Sequence, residues 1–325
     1  MSFTMLSERP TLAIIGAGRV GSTLAQTLRW RGYTVTSVFS RTAESAQQLA
    51  RILDCGVAKS TTEAALSADL TFLTVPDDAI QPVCEALAAH ADLSGRALVH
   101  TSGVSDVSVL ESAKAHGAWI GGLHPMLAIM DRNFSANVSF SVPWVAQAPE
   151  VTFGVEAEAP RLHVWLEEIV QALNGTALWL RPGQDRARYH AAGVIASNYV
   201  VTLFAEAIGL LQSLTGVSDI DERAVRQIIV HLMEATLNNV KLAGAAGALT
   251  GPILRGDTGT IIKHLDALEQ VDPELSKLYR LLGLRTLKLA AERGTDVAKL
   301  HEMRERLEKN DANNHIEHSE DEGQP

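Results

Sequence analysis

The sequence predicts an α/β protein, in which a doubly wound, mostly parallel sheet is followed by an all-α C-terminal domain. Over the first 125 residues, short apolar runs alternate with Ala-rich stretches of helical periodicity. The runs are apolar throughout rather than alternating in polarity, as in parallel strands that helices cover on both faces. From residue 185 onward, nearly every stretch has helical periodicity.

In the first domain, we predict strands at 12–15, 35–39, 70–75, 97–100 and 119–123, with helices at 21–31, 43–53 and 79–89. An extended segment at 138–146 ends this domain, and Pro143 within it favours a sheet edge.

In the second domain, a helix at 161–173 and an extended piece at 176–180 precede long helices at 186–215, 219–244, 260–268 and 273–293. The Gly- and Pro-rich segment 247–257 is expected to be non-helical. The predicted domains are therefore 1–150 and 151–305, followed by a disordered acidic tail at 306–325.

The composition is that of a soluble globular protein of 325 residues, with 46% hydrophobic and 20% charged side chains. The formal net charge is −10, which argues against nucleic acid or an anionic membrane surface as a partner. Cys55 and Cys84 form neither a disulfide framework nor a metal-ligand spacing. We therefore expect reduced thiols, no metal and a cytoplasmic location.

Residues 191–214 are long and apolar enough to cross a bilayer. They include Ser197, Asn198 and Glu206, so we expect a helix buried inside a soluble protein and no membrane partner. The first apolar run of the chain is too short for the core of a signal peptide.

A glycine-rich loop follows the first predicted strand and opens a helix. Gly16 permits a tight turn, Gly18 lets the backbone approach a pyrophosphate, and Gly21 lets helix and strand pack closely. Arg19 and Val20 complete the loop, whose helix N-terminus presents free N–H groups to phosphate. The loop predicts a Rossmann dinucleotide site; a purely structural turn is the alternative.

The end of the second predicted strand indicates which dinucleotide binds. An NAD site usually has an acid there, but this chain has none before Glu44. Ser40 and Thr42 can donate hydrogen bonds to a 2′-phosphate, and Arg41 can pair with it. NADP is therefore the predicted cofactor, and an exposed Arg41 without a partner is the alternative.

Three further loops follow predicted strands and should line the nicotinamide half of the cleft. The residues assigned to cofactor binding there are Val75, Pro76, Thr101, Ser102, Gly103 and His124. Asp77 or Asp78 is expected to cap the helix at 79–89. His124 either polarises a substrate or caps its loop.

The helix after residue 185 carries candidates for the chemistry. His190 and Ser197 are seven residues apart, hence on one helical face, and Asn198 lies beside them. A buried polar stripe needs partners, which are either a substrate or a neighbouring helix. A histidine titrates near neutrality, so His190 is the candidate proton donor.

Arg255 and Asp257 lie in the Gly- and Pro-rich segment. Arg255 can clamp a substrate carboxylate through two hydrogen bonds. Asp257 is better explained as the cap of the next helix, and an ion pair between the two is a further alternative.

Taken together, these motifs resemble those of one family over about residues 11–300. The resemblance rests on Gly16–Gly21, Thr74-Val75-Pro76-Asp77-Asp78, His100-Thr101-Ser102-Gly103, Leu123-His124-Pro125-Met126, Tyr189-His190, Ser197-Asn198-Tyr199, Thr250-Gly251-Pro252 and Arg255-Gly256-Asp257. The family is the Rossmann-like, NADP-dependent oxidoreductases whose C-terminal helical half is a domain of unknown function. It is similar in architecture to 6-phosphogluconate dehydrogenase, pyrroline-5-carboxylate reductase and ketopantoate reductase.

This resemblance implies a reductase, because some members are assigned as an alternative ketopantoate reductase of pantothenate synthesis. The sequence departs from related dehydrogenases in that His190 stands where they have Lys and Val194 where they have a first Asn. The Ser-Pro-Gly-Gly-Thr-Thr run of pyrroline-5-carboxylate reductase is missing from the sequence, which disfavours an imine.

The resulting expectation is an NADPH-dependent reductase of a small 2-oxo acid, with ketopantoate as the first choice. His190 would donate the proton, Ser197 and Asn198 would orient the carbonyl, and Arg255 would hold the carboxylate. The apolar helices predict a homodimer through the helical domain. Another carbonyl or imine substrate and a non-catalytic NADP-binding regulator are the alternatives.

Overall fold

The computed structural model describes residues 9–127, 151–181, 183–214 and 221–309. The chain divides into two compact units, Met1–Asn198 and Tyr199–Pro325.

The first unit contains an eight-stranded sheet in the described residues. Its strands are β1 Leu12–Ile15, β2 Val35–Phe39, β3 Gly56–Val57, β4 Leu70–Leu73, β5 Ala97–His100, β6 Trp119–Pro125, β7 Val151–Ala157 and β8 Gly175–Trp179. They lie in the order β3-β2-β1-β4-β5-β6-β7-β8. All neighbours are parallel except β6 and β7, so the predicted doubly wound, mostly parallel sheet is confirmed.

The helices of this unit cover both faces of the sheet. They are α1 Arg19–Trp30, α2 Ala43–Leu53, α3 Thr61–Leu66, α4 Asp77–His90, α5 Glu111–Ala115, α6 Pro160–Ala172 and α7 Arg186–Ala196. Leu12 and Ile14 of β1 pack in a core with α1, α2 and α6, whereas Ile15 packs in a second core with α3, α4 and α5. The alternation of side chains along a strand explains this division, because successive residues point to opposite faces.

The sheet continues beyond the predicted domain boundary at residue 150. β7 pairs antiparallel with β6, and β8 pairs parallel with β7, so the segment after residue 150 adds two strands to the same sheet. The first compact unit accordingly ends at Asn198. The strand predicted at 138–146 lies outside the described residues.

The described part of the second unit is helical, as predicted. Its helices are α8 Asn198–Gln212, which begins at the unit boundary, α9 Glu222–Ala248, α10 Pro252–Arg255, α11 Thr258–Val271, α12 Pro273–Glu292 and α13 Val297–Glu308. Its core consists of Ile261, Leu265, Leu287, Met303 and Leu307.

Two boundaries in this unit differ from the prediction. The segment predicted to be non-helical is partly helical, because α9 resumes after a break at Gly244 (φ 69°) and α10 forms at Pro252–Arg255. The predicted tail begins too early, since Leu307 is buried in the last turns of α13. The rest of that tail, from residue 310, lies outside the described residues.

The long apolar segment is not buried as predicted. α7 ends before Ser197, whose backbone (φ −124°, ψ −68°) departs from helical geometry, and α8 has no buried residue. By length and hydropathy alone, Arg186–Gln212 qualifies as a membrane span, and none of its most apolar window is buried. Its surface is therefore available to another molecule.

Candidate active site

The glycine-rich loop is shaped by close contacts with β4. Gly16 has a φ of 111°, and a Cβ there would lie 2.5 Å from the carbonyl oxygen of Thr74. The hydroxyl of Thr74 donates to the carbonyl of Gly16 at 2.6 Å. A Cβ at Gly21 would overlap the Gly16 carbonyl and the Thr74 hydroxyl. Both glycines are therefore required by packing within the fold.

Gly18 has a different environment. It is the N-cap of α1, no side chain caps the helix from this position, and a Cβ at Gly18 would meet nothing within 4 Å. Arg19 and Val20 form the first turn behind it. An uncapped helix N-terminus beside an open glycine suits a phosphate, because its N–H groups and the helix dipole both favour an anion. The loop therefore fits the pyrophosphate of a dinucleotide.

The end of β2 lies beside this loop, since the Gly16 N–H donates to the carbonyl of Phe39 at 2.8 Å. Ser40 is half-buried, and Arg41 and Thr42 are exposed. Thr42 is the N-cap of α2 but makes no side-chain capping hydrogen bond, and Arg41 has no ion pair among the described residues. These three residues follow the end of β2, where such folds recognise the adenine ribose, and their contact with a 2′-phosphate stays a prediction.

The loop after β4 differs from the prediction in one respect. The N-cap of α4 is Pro76, and Asp77 and Asp78 form the first turn instead of capping it. Neither carboxylate is thus the N-cap that the sequence predicted, although acids in a first turn still favour the helix dipole. Val75 is half-buried and packs at the edge of the core beneath α4.

The loop after β5 is held by its own hydrogen bonds. The hydroxyl of Ser102 accepts from the N–H groups of Val104 and Ser105 at 3.2 and 3.0 Å. Ser102 is buried and Thr101 is half-buried. Ser102 therefore shapes the loop through its side chain, and its predicted contact with the cofactor stays a prediction.

Gly103 lies against two histidines, His124 of β6 and His190 of α7, which we call the histidine pair. A Cβ at Gly103 would be 2.7 Å from His124 Nε2 and 2.6 Å from His190 Cδ2. The two ring centroids are 5.8 Å apart. Glycine at this position is what lets both rings reach the C-terminal edge of the sheet, where ligands bind in such folds.

Burial determines the charge of His124. Burial, together with smaller contributions from the neighbouring His190 and Arg186, lowers the pKa of His124 to about 4. Nδ1 of His124 lies 2.9 Å from the hydroxyl of Tyr189, whose pKa is raised by burial. His124 is therefore neutral at physiological pH and hydrogen-bonded to a neutral phenol.

Sequence reasoning missed the residue that anchors α7. Arg186 is 4% exposed and donates through Nε to the carbonyl of Ser105 at 3.1 Å and through Nη2 to that of Ser102 at 3.0 Å. Its Nη1 lies 3.7 Å from Oε1 of Glu156, which is 5% exposed. The only sequence signal was a cation at the start of an apolar helix.

This anchor is electrostatically coupled to its surroundings. Burial raises the pKa of Glu156, and Arg186 opposes that increase. The guanidinium of Arg186 also lies 5.1 Å from the centroid of the Tyr189 ring. Arg186 thus connects the loop that carries Gly103 to the phenol that contacts His124.

His100 is a buried, neutral ring beneath the site. It has no exposed surface, and its Nδ1 accepts the N–H of Ser102 at 3.2 Å. Burial, reinforced by Arg186, lowers its pKa to about 4. A Cβ at Gly122 would lie 3.2 Å from its ring, so the strand beside it is packed closely.

Ser197 and Asn198 are not on a continuous helical face with His190, contrary to the prediction. The helix is interrupted at Ser197, whose hydroxyl has two acceptors for its single hydrogen, the carbonyl of Gly193 at 2.8 Å and Oδ1 of Asn198 at 2.9 Å. Seven-residue spacing aligns side chains only within an unbroken helix. Their assigned role in orienting a substrate stays a prediction.

Arg255 and Asp257 belong to the second compact unit. Asp257 caps α11, as the sequence indicated, because its carboxylate accepts from the N–H and the hydroxyl of Thr260 at 3.0 and 2.7 Å. Arg255 is exposed in the last turn of α10, and its role as a carboxylate clamp stays a prediction.

Family models match most of the chain. Residues 2–125 match a Rossmann-like domain, and residues 151–286 match a domain of unknown function, DUF2520. The chain is a Rossmann-like domain joined to a DUF2520 domain. This agrees with the predicted family.

Solved structures share the fold of this two-domain chain. A candidate NADP oxidoreductase from Bacteroides fragilis has 25% identity and a TM-score of 0.65, over 86% of this chain and 98% of its own. A pyrroline-5-carboxylate reductase from Coxiella burnetii has 14% identity and a TM-score of 0.56, over 93% and 100%. An imine reductase from a Pseudomonas species has 20% identity and a TM-score of 0.54, over 91% and 99%. No curated protein matches the chain in sequence.

Both family domains contribute to the histidine pair. Gly103 and His124 belong to the Rossmann-like domain, whereas Glu156, Arg186 and His190 belong to DUF2520. All five lie in the first compact unit. The strand β7 and the helix α7 of the DUF2520 domain therefore complete a site that the Rossmann-like domain begins.

Proposed function

We propose that this protein is an NADP-dependent oxidoreductase. The observation that carries the proposal is the open environment of Gly18 at an uncapped helix N-terminus, beside a loop that Thr74 holds in shape. Ser40, Arg41 and Thr42 would hold the 2′-phosphate that distinguishes NADP from NAD. The similarity to a candidate NADP oxidoreductase supports the same cofactor.

The residues near Gly103 support a reduction. The cofactor, when bound, supplies a hydride. His190 is half-buried beside Gly103, so it is placed to give a proton to the oxygen or nitrogen that the reduction leaves negatively charged. Gly103 lets both rings of the histidine pair pack against the backbone, since a side chain there would collide with them.

The proposed substrate is a small 2-oxo acid, with ketopantoate as the first compound to test. In this proposal, Ser197 and Asn198 orient the carbonyl and Arg255 binds the carboxylate. A small imine is the second candidate, and the similarity in fold to a pyrroline-5-carboxylate reductase and an imine reductase favours it. A panel of 2-oxo acids, ketones and cyclic imines, followed by NADPH absorbance at fixed pH, separates the two.

Cofactor choice is tested by Arg41→Ala. Loss of a charge-assisted pair costs about 1.5–3 kcal/mol, so NADPH affinity should fall roughly 10- to 100-fold while NADH affinity changes little. Fluorescence titration of both cofactors measures the difference. The matched control is Arg51→Ala, which removes an exposed arginine from the last turn of α2, the helix that follows Arg41. Equal losses for both cofactors would remove the NADP assignment.

Binding without turnover would indicate another function. If NADPH binds tightly, no compound in the panel oxidises it and His190→Ala changes nothing, the protein is a non-catalytic NADP-binding regulator instead.

We also propose that the protein is a cytoplasmic homodimer. The second unit exposes large apolar side chains on α8 and α9, which are Tyr199, Val201, Leu203, Leu210, Ile228, Leu232, Leu237, Val240 and Leu242. Apolar area of this kind usually marks an interface. Light scattering coupled to size exclusion should give twice the 34.9 kDa chain mass. A monomer at micromolar concentration, or recovery in the membrane fraction, would contradict the proposal.

A further inference from the structure

We propose that Tyr189 is a positioning residue that holds His124 as the Nε2–H tautomer, so that His124 donates a hydrogen bond to a carbonyl oxygen bound at the carboxyl end of β5. The proposal rests on the proposed reductase function and adds a second histidine, with a different task, to the proton donor His190.

The hydrogen bond of Tyr189 determines the tautomer. The phenol oxygen of Tyr189 lies 2.9 Å from Nδ1 of His124. Since a buried phenol keeps its hydrogen and needs an acceptor for it, the hydroxyl donates to Nδ1. Nδ1 then carries no hydrogen, and the ring hydrogen is on Nε2.

Nε2 of His124 packs against Gly103 at the end of the sheet. It lies 2.7 Å from the position that a Cβ of Gly103 would occupy, and His190 Cδ2 lies 2.6 Å from the same point, so the two rings fill the place of a side chain. Gly103 follows the carboxyl end of β5, where ligands bind in open α/β sheets. An Nε2–H group at this edge can donate to a molecule bound there.

The charged and titratable groups around His124 keep the ring neutral. Burial, His190 and Arg186 lower its pKa, and only Asp77 raises it. With the pKa at about 4, the ring is an uncharged donor at neutral pH, and it can polarise a carbonyl without giving up its proton. Proton transfer is then left to His190.

Two carbonyl oxygens can accept this hydrogen bond, that of the substrate and that of the carboxamide on the nicotinamide ring. A donor to the substrate would act on kcat/KM, whereas a donor to the carboxamide would act on NADPH affinity. The kinetic experiment below separates them.

Nitrogen NMR tests the tautomer without any cofactor or substrate. In ¹⁵N-histidine protein at pH 7, His124, assigned by its loss in His124→Gln, should show an unprotonated Nδ1 and a protonated Nε2. Tyr189→Phe, which keeps the ring over Arg186, should shift His124 toward the other tautomer. A charged ring, an Nδ1–H tautomer in the unsubstituted protein, or an unchanged tautomer in Tyr189→Phe would overturn the proposal.

A matched control exists in the second compact unit. There, Nδ1 of His264 lies 2.8 Å from the hydroxyl of Tyr279, in the same type of pair as His124 and Tyr189. Tyr279→Phe removes one hydroxyl from one tyrosine–histidine pair but should leave the His124 signals and the kinetics unchanged.

Kinetics tests the use of the hydrogen bond. Tyr189→Phe should lower kcat/KM about 10- to 100-fold if the acceptor belongs to the substrate, or weaken NADPH binding by a similar factor if it is the carboxamide. Unchanged values for both would overturn the proposal. If no substrate is turned over at all, the proposed function fails, while the NMR result still decides the tautomer.

Discussion

Three glycines in one loop have two different tasks. Gly16 and Gly21 lack a side chain because the Thr74 residue and the loop's own backbone occupy the space. Gly18 has free space around it, so the fold alone does not require a glycine there. In the proposed function, the glycine at position 18 lets the phosphates of the cofactor approach the backbone.

Two substitutions separate these tasks. Gly21→Ala should destabilise the protein by about 1–3 kcal/mol, because the new methyl group overlaps the Gly16 carbonyl. Gly18→Ala should change the free energy of unfolding by no more than about 1 kcal/mol but weaken NADPH binding about tenfold or more. Urea unfolding and fluorescence titration measure the two effects. Normal NADPH affinity in Gly18→Ala would show that phosphate does not approach this backbone.

Sequence motifs located individual residues well where the chemistry is local. The glycine loop and the cap at Asp257 follow from neighbours within a few positions, and the structure places both accordingly. The pair between Glu156 and Arg186 was missed because it joins a strand to a helix 30 positions later, and no periodic pattern indicates it.

At the scale of elements, α7 is held to the sheet by its first residue. Arg186 donates to two backbone carbonyls of the loop after β5 and faces Glu156 of β7, all within the first unit. The hydrophobic contribution of α7 is small, since Arg186 is its only buried residue. The orientation of Tyr189 and His190 therefore depends on this one side chain.

Removal of Arg186 should destabilise this unit strongly. Arg186→Met leaves Glu156 buried without its partner and two carbonyls without a donor, which typically costs about 3–5 kcal/mol. The double variant Arg186→Met with Glu156→Leu should recover part of that loss, because no unpaired charge remains. Chemical denaturation measures both variants.

The control for this experiment is Arg188→Met, two positions along the same helix. Arg188 is exposed and pairs with Asp185 at 2.7 Å, so its loss should not change stability measurably. If Arg186→Met is as stable as this control, the buried pair does not hold α7.

Most elements followed from periodicity, and the exceptions have physical causes. β1, β2 and β5 have the predicted bounds because each is a short apolar run covered on both faces. The interruption at Ser197 was missed because residues 194–200 contain neither Gly nor Pro. β3 was missed because it has two exposed residues and therefore no apolar pattern.

At the scale of the whole molecule, two neutral buried histidines should make stability depend on pH. His100 and His124 have pKa values of about 4 in the folded protein and an ordinary value of 6.5. Between these values the unfolded chain binds more protons, so the free energy of unfolding falls as the pH drops from 6.5 toward 4. For fully buried His100, the loss is on the order of 3 kcal/mol.

Denaturation at several pH values tests this expectation. His100→Gln should lower the number of protons taken up on unfolding between pH 6.5 and 4 by about one, and the free energy of unfolding should then change less with pH. His90→Gln removes an exposed histidine at the end of α4 and should leave this pH dependence unchanged. If the free energy of unfolding had the same slope against pH in the unsubstituted protein, His100→Gln and His90→Gln, His100 would be protonated in the folded state.

The antiparallel step from β6 to β7 has a practical consequence for dissecting the gene. A fragment cut between the two family models, near residue 150, would lose the strand that covers the edge of β6, and the carbonyls of Ser102 and Ser105 would lose the guanidinium that binds them. Chimaeras that exchange the N-terminal half between homologues should therefore be joined after Asn198, where the first compact unit ends.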